Sequence, residues 1–313
     1  MNQKNILVIG SLNYDILLEQ RRLPKKGETY VVDNVTIGPG GKGANQAVQC
    51  SKMGIKTVMI GALGNDLFGD YIIEQLQNFE IDINKIKRTN KNTGLGINNI
   101  LPDGTLYANI SRGANFTITK EDIKNLEKEF SNSKIVILQL EIPKAVTNFA
   151  IKLAEKHNCY IIFNAAPAKS ISEKVLSRVD CLVLNEEEAT FYCDKKINNV
   201  KTALIHGKKL YSKIKDLLVI TLGSKGSIIF TKKHIVHIPA INTKVVDTTG
   251  AGDTFIGVLA SQIYKNINYI KSVKLATMAS SLTISKTGTQ LIMPNKKDIE
   301  DIYKKTEINE IIY

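Results

Sequence analysis

The 313-residue sequence predicts an α/β protein with a largely parallel sheet covered on both faces by helices, plus a small accessory sheet. Three observations predict it. Short apolar, β-branched runs alternate with helical patterns of crossover length, the rhythm of βαβ units. Two stretches, near residues 16–37 and 94–110, break that rhythm with antiparallel pieces and are assigned to the accessory sheet. No Pro/Gly/Ser-rich linker, repeat or low-complexity tract divides the chain, so one domain (1–313) with a lid is expected rather than two independent domains.

The run at 5–11 (NILVIGS) reads as a buried strand. Residues 28–37 alternate less cleanly and are assigned to a partly exposed strand ahead of a Gly-rich turn. Spacing then predicts a helix over 44–53, a strand over 56–61 and an amphipathic helix over 66–79. Segments 94–100 and 105–110, joined by Leu101-Pro102-Asp103-Gly104, read as a hairpin. Strands are predicted at 134–140, 160–163, 181–184 and 216–221, with helices over 145–157, from Glu186, and over 202–213. An antiparallel pair, 226–230 and 235–238, precedes two long helical patterns over 252–264 and 270–285.

Lys and Arg number 42 against 30 Asp and Glu, giving a formal charge of +12, with 43% apolar and 23% charged residues. That composition excludes a disordered chain. A chain this long buries roughly three quarters of its unfolded surface, so no disulfide or metal staple is required. No apolar run approaches the ~18 residues of a membrane span, and no membrane partner is expected. The opening, Met1 to Gly10, has one lysine before a five-residue apolar run and then turns polar at Asn13 and Asp15, too short for a signal peptide. Cys50, Cys159, Cys181 and Cys193 form no C-x-x-C pair and are read as reduced thiols of a cytoplasmic protein. The charge raises the question of nucleic acid. The densest basic stretches, 85–91 and 208–215, hold at most two adjacent basic residues and no base-stacking aromatics apart from Tyr211. The lysines are therefore assigned to solvated loops and helix faces, and no nucleic-acid partner is expected.

Five motifs carry chemistry. Gly38-Pro39-Gly40-Gly41-Lys42-Gly43-Ala44-Asn45-Gln46 contains G-x-G-x-x-G before a helix, as a dinucleotide site would. The acidic residue expected about 20 positions on is absent, and the preceding strand is partly polar. Walker A fails too, since Gly43 follows Lys42. The glycines with Lys42 and Asn45 instead suit close approach to a ligand rich in hydroxyls. Val246 to Phe255 includes Gly250-Ala251-Gly252-Asp253 at a helix start, where convergent amides form an anion site. The helix dipole there favours an ionised Asp253, and a carboxylate beside an anion hole suits phosphoryl transfer to an alcohol. A plain N-capping Asp is the alternative. Asn185-Glu186-Glu187-Glu188 reads as a capping box or as a hydrated-Mg²⁺ site. Thr221 to Gly226 is a β-turn or a nucleotide contact. Asn13-Tyr14-Asp15 suits hydroxyl recognition or an Asx-turn. The histidines His157, His206, His234 and His237 share no metal spacing.

Together these residues resemble the ribokinase-like (PfkB) family of ATP-dependent sugar kinases. The resemblance runs from Gly10-Ser11-x-Asn13-x-Asp15 through Gly40 to Val48, Leu138 to Glu141, Asn164 to Ala168 and Asn185 with Glu188, to Asp247 through Thr254. It implies a three-layer α/β/α sandwich with a β-lid, about 13–37 and 94–110, often shared across a homodimer. By this likeness Asn13, Asp15, Gly41, Lys42, Asn45 and Glu141 hold sugar hydroxyls. Asp253 is the base, and Gly250, Ala251 and Gly252 form the anion hole. Asn185, Thr221, Gly223, Ser224, Gly226 and Gly252 line ATP. Asn185 and Glu188 support Mg²⁺ through water. Asp247, Thr249, Thr283, Lys286 and Gly288 match a monovalent-cation site, usually for K⁺. Three residues depart from the family pattern: Ala165 for a common Pro, Thr277 for a His or Asn beside adenine, and Ile292 for a small polar residue near the cation.

The expected reaction is transfer of the γ-phosphoryl of ATP to the 5-hydroxyl of D-ribose. Rival readings are a relative acting on deoxyribose, fructose or a nucleoside, and a non-catalytic sugar sensor on the same fold. The intact Gly250–Asp253 string argues against the sensor, because binding alone needs no base.

Overall fold

The computed structural model describes residues 4–103 and 105–313. Met1 to Gln3 and Gly104, the last residue of the predicted hairpin turn, lie outside the described residues. In chain order the strands are β1 Asn5–Ile9, β2 Asn13–Glu19, β3 Asn34–Gly40, β4 Thr57–Gly64, β5 Asp82–Thr89, β6 Gly94–Ile100 and β7 Leu106–Ser111. They continue as β8 Ser133–Leu138, β9 Tyr160–Asn164, β10 Cys181–Leu184, β11 Leu217–Thr221, β12 Ser227–Phe230, β13 Ile235–Ile238 and β14 Ile311–Ile312.

A ten-stranded sheet has the order β14-β13-β12-β11-β10-β9-β8-β1-β4-β5. From β5 through β11 neighbours pair in parallel; β12, β13 and β14 add antiparallel at one edge. The alternation along β1 explains the layers. Ile6 and Val8 join one apolar cluster, beneath helices Lys42–Lys52, Ala251–Tyr264 and Tyr269–Ile284. Leu7 and Ile9 join the cluster on the opposite face, with helix Lys144–Lys156. Both faces of the sheet are thus covered, as its apolar strands require. The four-stranded sheet, order β3-β2-β6-β7, stands apart and is the expected lid.

Several expectations are corrected. The strand placed at 28–37 begins only at Asn34 and runs on through Gly38, Pro39 and Gly40; the turn falls at Gly41, whose φ is 88°. Asn13, Tyr14 and Asp15 open a strand of their own, β2, rather than an Asx-turn, and β2 pairs in parallel with β6. Residues 82–89 (DINKIKRT) form an edge strand, so the basic stretch there is not on a loop or helix face. Its charges are paired: Lys85 with Glu129 at 3.5 Å, Lys87 with Asp122 at 2.8 Å and Arg88 with Asp70 at 2.6 Å. Pairing with β4, not β-propensity, makes that strand. Helices Lys120–Asn125, Glu127–Ser131 and Lys296–Lys305 were also not expected. All four cysteines are free, and no helix among the described residues is long and apolar enough to cross a membrane.

Leu7 is fully buried in β1, between β4 and β8. Leu7→Ala is expected to destabilise the fold by about 2–5 kcal/mol through lost burial and a residual cavity. Denaturant unfolding measures it, and a loss below about 1 kcal/mol would contradict this core assignment.

Candidate active site

The strand order reverses at β1, which has β4 on one side and β8 on the other. In an open α/β sheet such a switch point leaves a crevice at the carboxyl ends of the strands. Ser11 and Glu141 follow β1 and β8 into that crevice. The Ser11 hydroxyl donates to Glu141 Oε2 at 2.6 Å, and the Lys42 amide approaches the same oxygen at 3.4 Å. The Lys42 ammonium lies 4.0 Å from Glu141 Oε1. Burial alone would lower this ammonium, but the carboxylates of Glu141, Asp253, Glu188 and Asp15 outweigh it and hold it above the ordinary lysine value. Lys42 is the cation on which the site's acids converge.

The lid sheet supplies Asp15. In register it lies between Gly38 on β3 and Gly96 on β6. A methyl group at Gly40 or Gly96 would overlap its carboxylate, so those glycines make the room that Asp15 occupies. Burial pushes Asp15 up to about 7, with the Glu141 and Asp253 charges adding and Lys42 opposing. Beside it, Asn13 Oδ1 accepts from Asn115 Nδ2 at 2.8 Å, while Asn115 also clasps the backbone of Leu12 through both ends of its amide. Asn115 was not singled out in the sequence. It is a buried polar residue in a short 3₁₀ turn, without a motif around it.

Asp253 occupies the first turn of the helix Ala251–Tyr264, which begins after Gly250 at φ 75°, a left-handed conformation that favours glycine. Its carboxylate does not cap the helix. Oδ2 accepts from Asn45 Nδ2 at 3.0 Å, and Oδ1 from Gln46 Nε2 at 2.8 Å. Asn45, expected to touch sugar, here orients the Asp253 carboxylate. Gln46, whose amide oxygen accepts from Gln139, was quoted in the motif without a role. Only the fold marks it out, as a fully buried polar side chain. The dipole argument favoured ionisation, yet burial is the largest influence and raises Asp253, with Lys42, Asn45 and Gln46 partly offsetting it. The result is a carboxylate more basic than an exposed one, as a proton acceptor needs to be.

On the other side of that helix start lies a cleft of about 560 Å³. Thr221, Gly223, Ser224 and Gly226 line it from the β11–β12 side, and Ala251 and Gly252 from the helix. Thr277, marked as a departure beside adenine, lines it as well, and so does Asn242, which sequence reasoning passed over. Gly250 and Asn185 are not among the lining residues. Asn185 and Glu188 form a reciprocal capping box, Glu188 N–H to Asn185 Oδ1 at 2.8 Å and Asn185 N–H to Glu188 Oε2 at 2.9 Å. Burial raises Glu188, and Lys42 counters it.

The expected cation residues also assemble. Asp247 Oδ1 accepts from the Thr249 amide at 2.8 Å and Oδ2 from the Gly288 amide at 3.3 Å. The Lys286 amide donates to the Thr283 carbonyl, and Ile284 ties the two segments by accepting from the amides of Val246 and Asp247. Thr249 Oγ1 is buried without a hydrogen-bond partner, a polar atom that suits an oxygen-coordinated cation. The Thr283 hydroxyl is engaged with Ala279 and Thr254, which leaves only its carbonyl for such a role. Ile292 lies beside Gly288. Among the described residues no group of three His, Cys, Asp or Glu side chains could hold a metal.

Residues 3–296 match the model of the pfkB family carbohydrate kinases. The chain belongs to that family. Among its relatives, a ribokinase of Lactococcus lactis is 34% identical over 306 residues, covering 97% of this chain and 98% of the relative. A deoxyribokinase of Salmonella typhi is 29% identical over 309 residues, covering 98% and 100%. The solved structure of an Arabidopsis thaliana ribokinase complexed with ribose and ATP superposes with a TM-score of 0.87 at 29% identity, covering 96% of this chain and 99% of that one. The glycine string Gly38 to Gly43, read for a hydroxyl-rich ligand rather than a dinucleotide, ends a lid strand in this pfkB kinase and places Lys42 beside Glu141.

The raised Asp15 has a stability consequence with a definite sign. Its folded value, about 7, lies above the ordinary 3.8, so the folded chain holds this proton more tightly than the unfolded chain does. The favourable contribution is complete below about 3.8 and is lost as pH rises toward 7. Asp15→Asn is expected to raise Tm by a few degrees at pH 8 and by less at pH 5, while cutting kcat/KM for sugar about 100-fold. Melting curves at both pH values check this; an equal or larger gain at pH 5 would refute it.

Proposed function

We propose that this ATP-dependent sugar kinase transfers the γ-phosphoryl of ATP to the 5-hydroxyl of D-ribose, giving ribose 5-phosphate. The observation that carries the reading is Asp253: a buried carboxylate held by two carboxamides, with Gly252 beside it opening into the nucleotide-sized cleft. The ribokinase likeness over almost the whole chain names the sugar.

Asn13, Asp15, Gly41, Lys42, Asn45 and Glu141 bind the sugar hydroxyls and hold it with the 5-hydroxyl toward Asp253. The Asp253 carboxylate accepts the hydroxyl proton as the oxygen bonds to the γ-phosphorus, and the bond to the bridging β–γ oxygen breaks to release ADP. Amides of Gly250 and Gly252 face the charge on the moving phosphoryl, and that of Ala251, which donates to Thr248 O at 3.3 Å, joins them by exchanging that bond. Thr221, Gly223, Ser224 and Gly226 hold the nucleotide. Bound Mg²⁺ would screen the phosphate charges, with Asn185 and Glu188 as its water-mediated supports. Asp247, Thr249, Thr283, Lys286 and Gly288 would hold a monovalent cation, K⁺, which would supply fixed positive charge to the site. The lid, residues 13–40 and 94–111, closes the sugar side of one kinase unit and excludes water.

A coupled ADP-release screen over ribose, deoxyribose, fructose and nucleosides, with and without K⁺, tests the reading. Ribose is expected to show the highest kcat/KM, with K⁺ raising the rate. The Salmonella typhi likeness makes deoxyribose the informative competitor, and a preference for it would transfer the assignment there. Asp253→Ala is expected to cut kcat by about a thousandfold while leaving ribose binding, measured by calorimetry, largely intact. Near wild-type kcat in that variant would sink the mechanism.

The lid also supports a homodimer. Ile37 and Ile97 both pair with Ile16 in register and so share one face of the small sheet, where Val35, Ile37 and Ile97 are exposed. Leu67 and Phe68 add exposed apolar surface from the helix that packs on it. A patch of this kind on an unpaired sheet suits a second copy. Sedimentation at micromolar concentration is expected to give a dimer, and Ile37→Asp a monomer; a monomeric wild type contradicts the proposal.

A further inference from the structure

Lys52 ends the helix Lys42–Lys52 far from the sugar residues, yet its ammonium is gathered into the loop that follows helix Tyr269–Ile284. Nζ donates to the carbonyls of Gln290 at 2.8 Å, Leu291 at 3.1 Å and Met293 at 2.7 Å. All three ammonium protons are thus matched by main-chain acceptors. The Phe79 ring lies 5.1 Å from Nζ, and Gln49, one turn earlier, donates to Pro294 O at 3.0 Å.

The loop so held has no regular structure of its own but touches three parts of the site: Asp247, the glycine loop and Asn45. Gly288 N–H reaches Asp247, and the Thr289 hydroxyl donates to Pro39 O at 2.7 Å, at the foot of the glycine loop. Gln290 Nε2 donates to Asn45 Oδ1 at 3.0 Å, and Asn45 Nδ2 in turn donates to Asp253 Oδ2 at 3.0 Å. That last pair has a direction. Because Gln290 claims the oxygen of the Asn45 amide, only its nitrogen can face Asp253. A reversed amide would set oxygen against carboxylate.

We propose that Lys52 is a positioning residue for phosphoryl transfer: as a covalently attached cation it fixes the backbone of Gln290, and through Gln290 the Asn45 amide that orients Asp253. The inference rests on Asp253 being the general base. It differs from a fold-stabilising role in predicting a loss in the chemical step that passes through Gln290. Misplacement of a base by a fraction of an ångström costs one to two powers of ten in rate.

The test is steady-state kinetics on the full-length protein with Tm measured alongside. Lys52→Met is expected to lower kcat about tenfold with KM for ATP within about twofold, and Lys52→Arg to recover most of the loss, since a guanidinium can still serve the carbonyls. Gln290→Leu should lower kcat similarly, and the double variant should be no more than about twofold worse than Lys52→Met, because both break one relay. Wild-type kcat in a folded Lys52→Met, or multiplicative losses in the double variant, overturns the proposal. Should Lys52→Met not fold, Gln290→Glu decides: it keeps size and removes the donor, and a wild-type kcat there overturns it equally. Asp253→Asn is measured in parallel. Full activity in Asp253→Asn defeats the base reading, whereas an inactive Asp253→Asn beside an unaffected Lys52→Met defeats only the positioning role.

Discussion

The Asp253 carboxylate sits at the buried start of a helix, where taking a charge out of water is costly unless protein donors replace the lost hydration. Asn45 and Gln46 are those donors, and they come from the first turn of a helix more than 200 residues earlier in the chain. This one contact forces two helices, the glycine loop before one and the amide-rich turn before the other, to meet over the switch point of the sheet. Each amide is then held by a further partner, Gln46 by Gln139 and Asn45 by Gln290. The pairing is incomplete at its outer members, since Gln139 Oε1 and Gln290 Oε1 are buried without a hydrogen-bond partner, so the network favours this arrangement at a cost in stability.

The same logic orders the charges. Asp15, Glu141 and Asp253 are three acids that repel one another and share Lys42 as counter-ion. Burial, with this crowding added to it, raises Asp15 at a cost to stability, which is how a site poised for a polar ligand differs from a relaxed surface. The +12 charge of the chain has little part in this. Much of the basic stretch on β5 is spent in ion pairs with neighbouring acids, and the single lysine at the centre of the site does not belong to a basic cluster.

Much of the architecture was legible because its determinants are local. Runs such as Ile6 to Ile9 and 181–184 can only be buried strands, and the long helical patterns ended within a residue or two of their predicted limits. The errors have a common cause. β2, β5 and the late start of β3 are polar or glycine-rich segments whose strand character comes from their neighbours: Asn13 and Asp15 put polar side chains into β2, and the lysines of β5 are tolerated at a sheet edge. Asn185 and Glu188 show the reverse case: the sequence offered a capping box or a metal-support site, and the packed residues form the capping box.

The sequence by itself determined the α/β class, the family and a set of candidate site residues, because glycine spacing and helix-start carboxylates are constraints written within a few positions. Tertiary structure alone decided which side chains hold those residues in place. Gln46, Asn115, Gln290 and Lys52 act across 102 to 245 positions of chain, through hydrogen bonds whose partners no local pattern announces. A motif marks where a carboxylate must be; only the packed fold shows what keeps it pointing the right way.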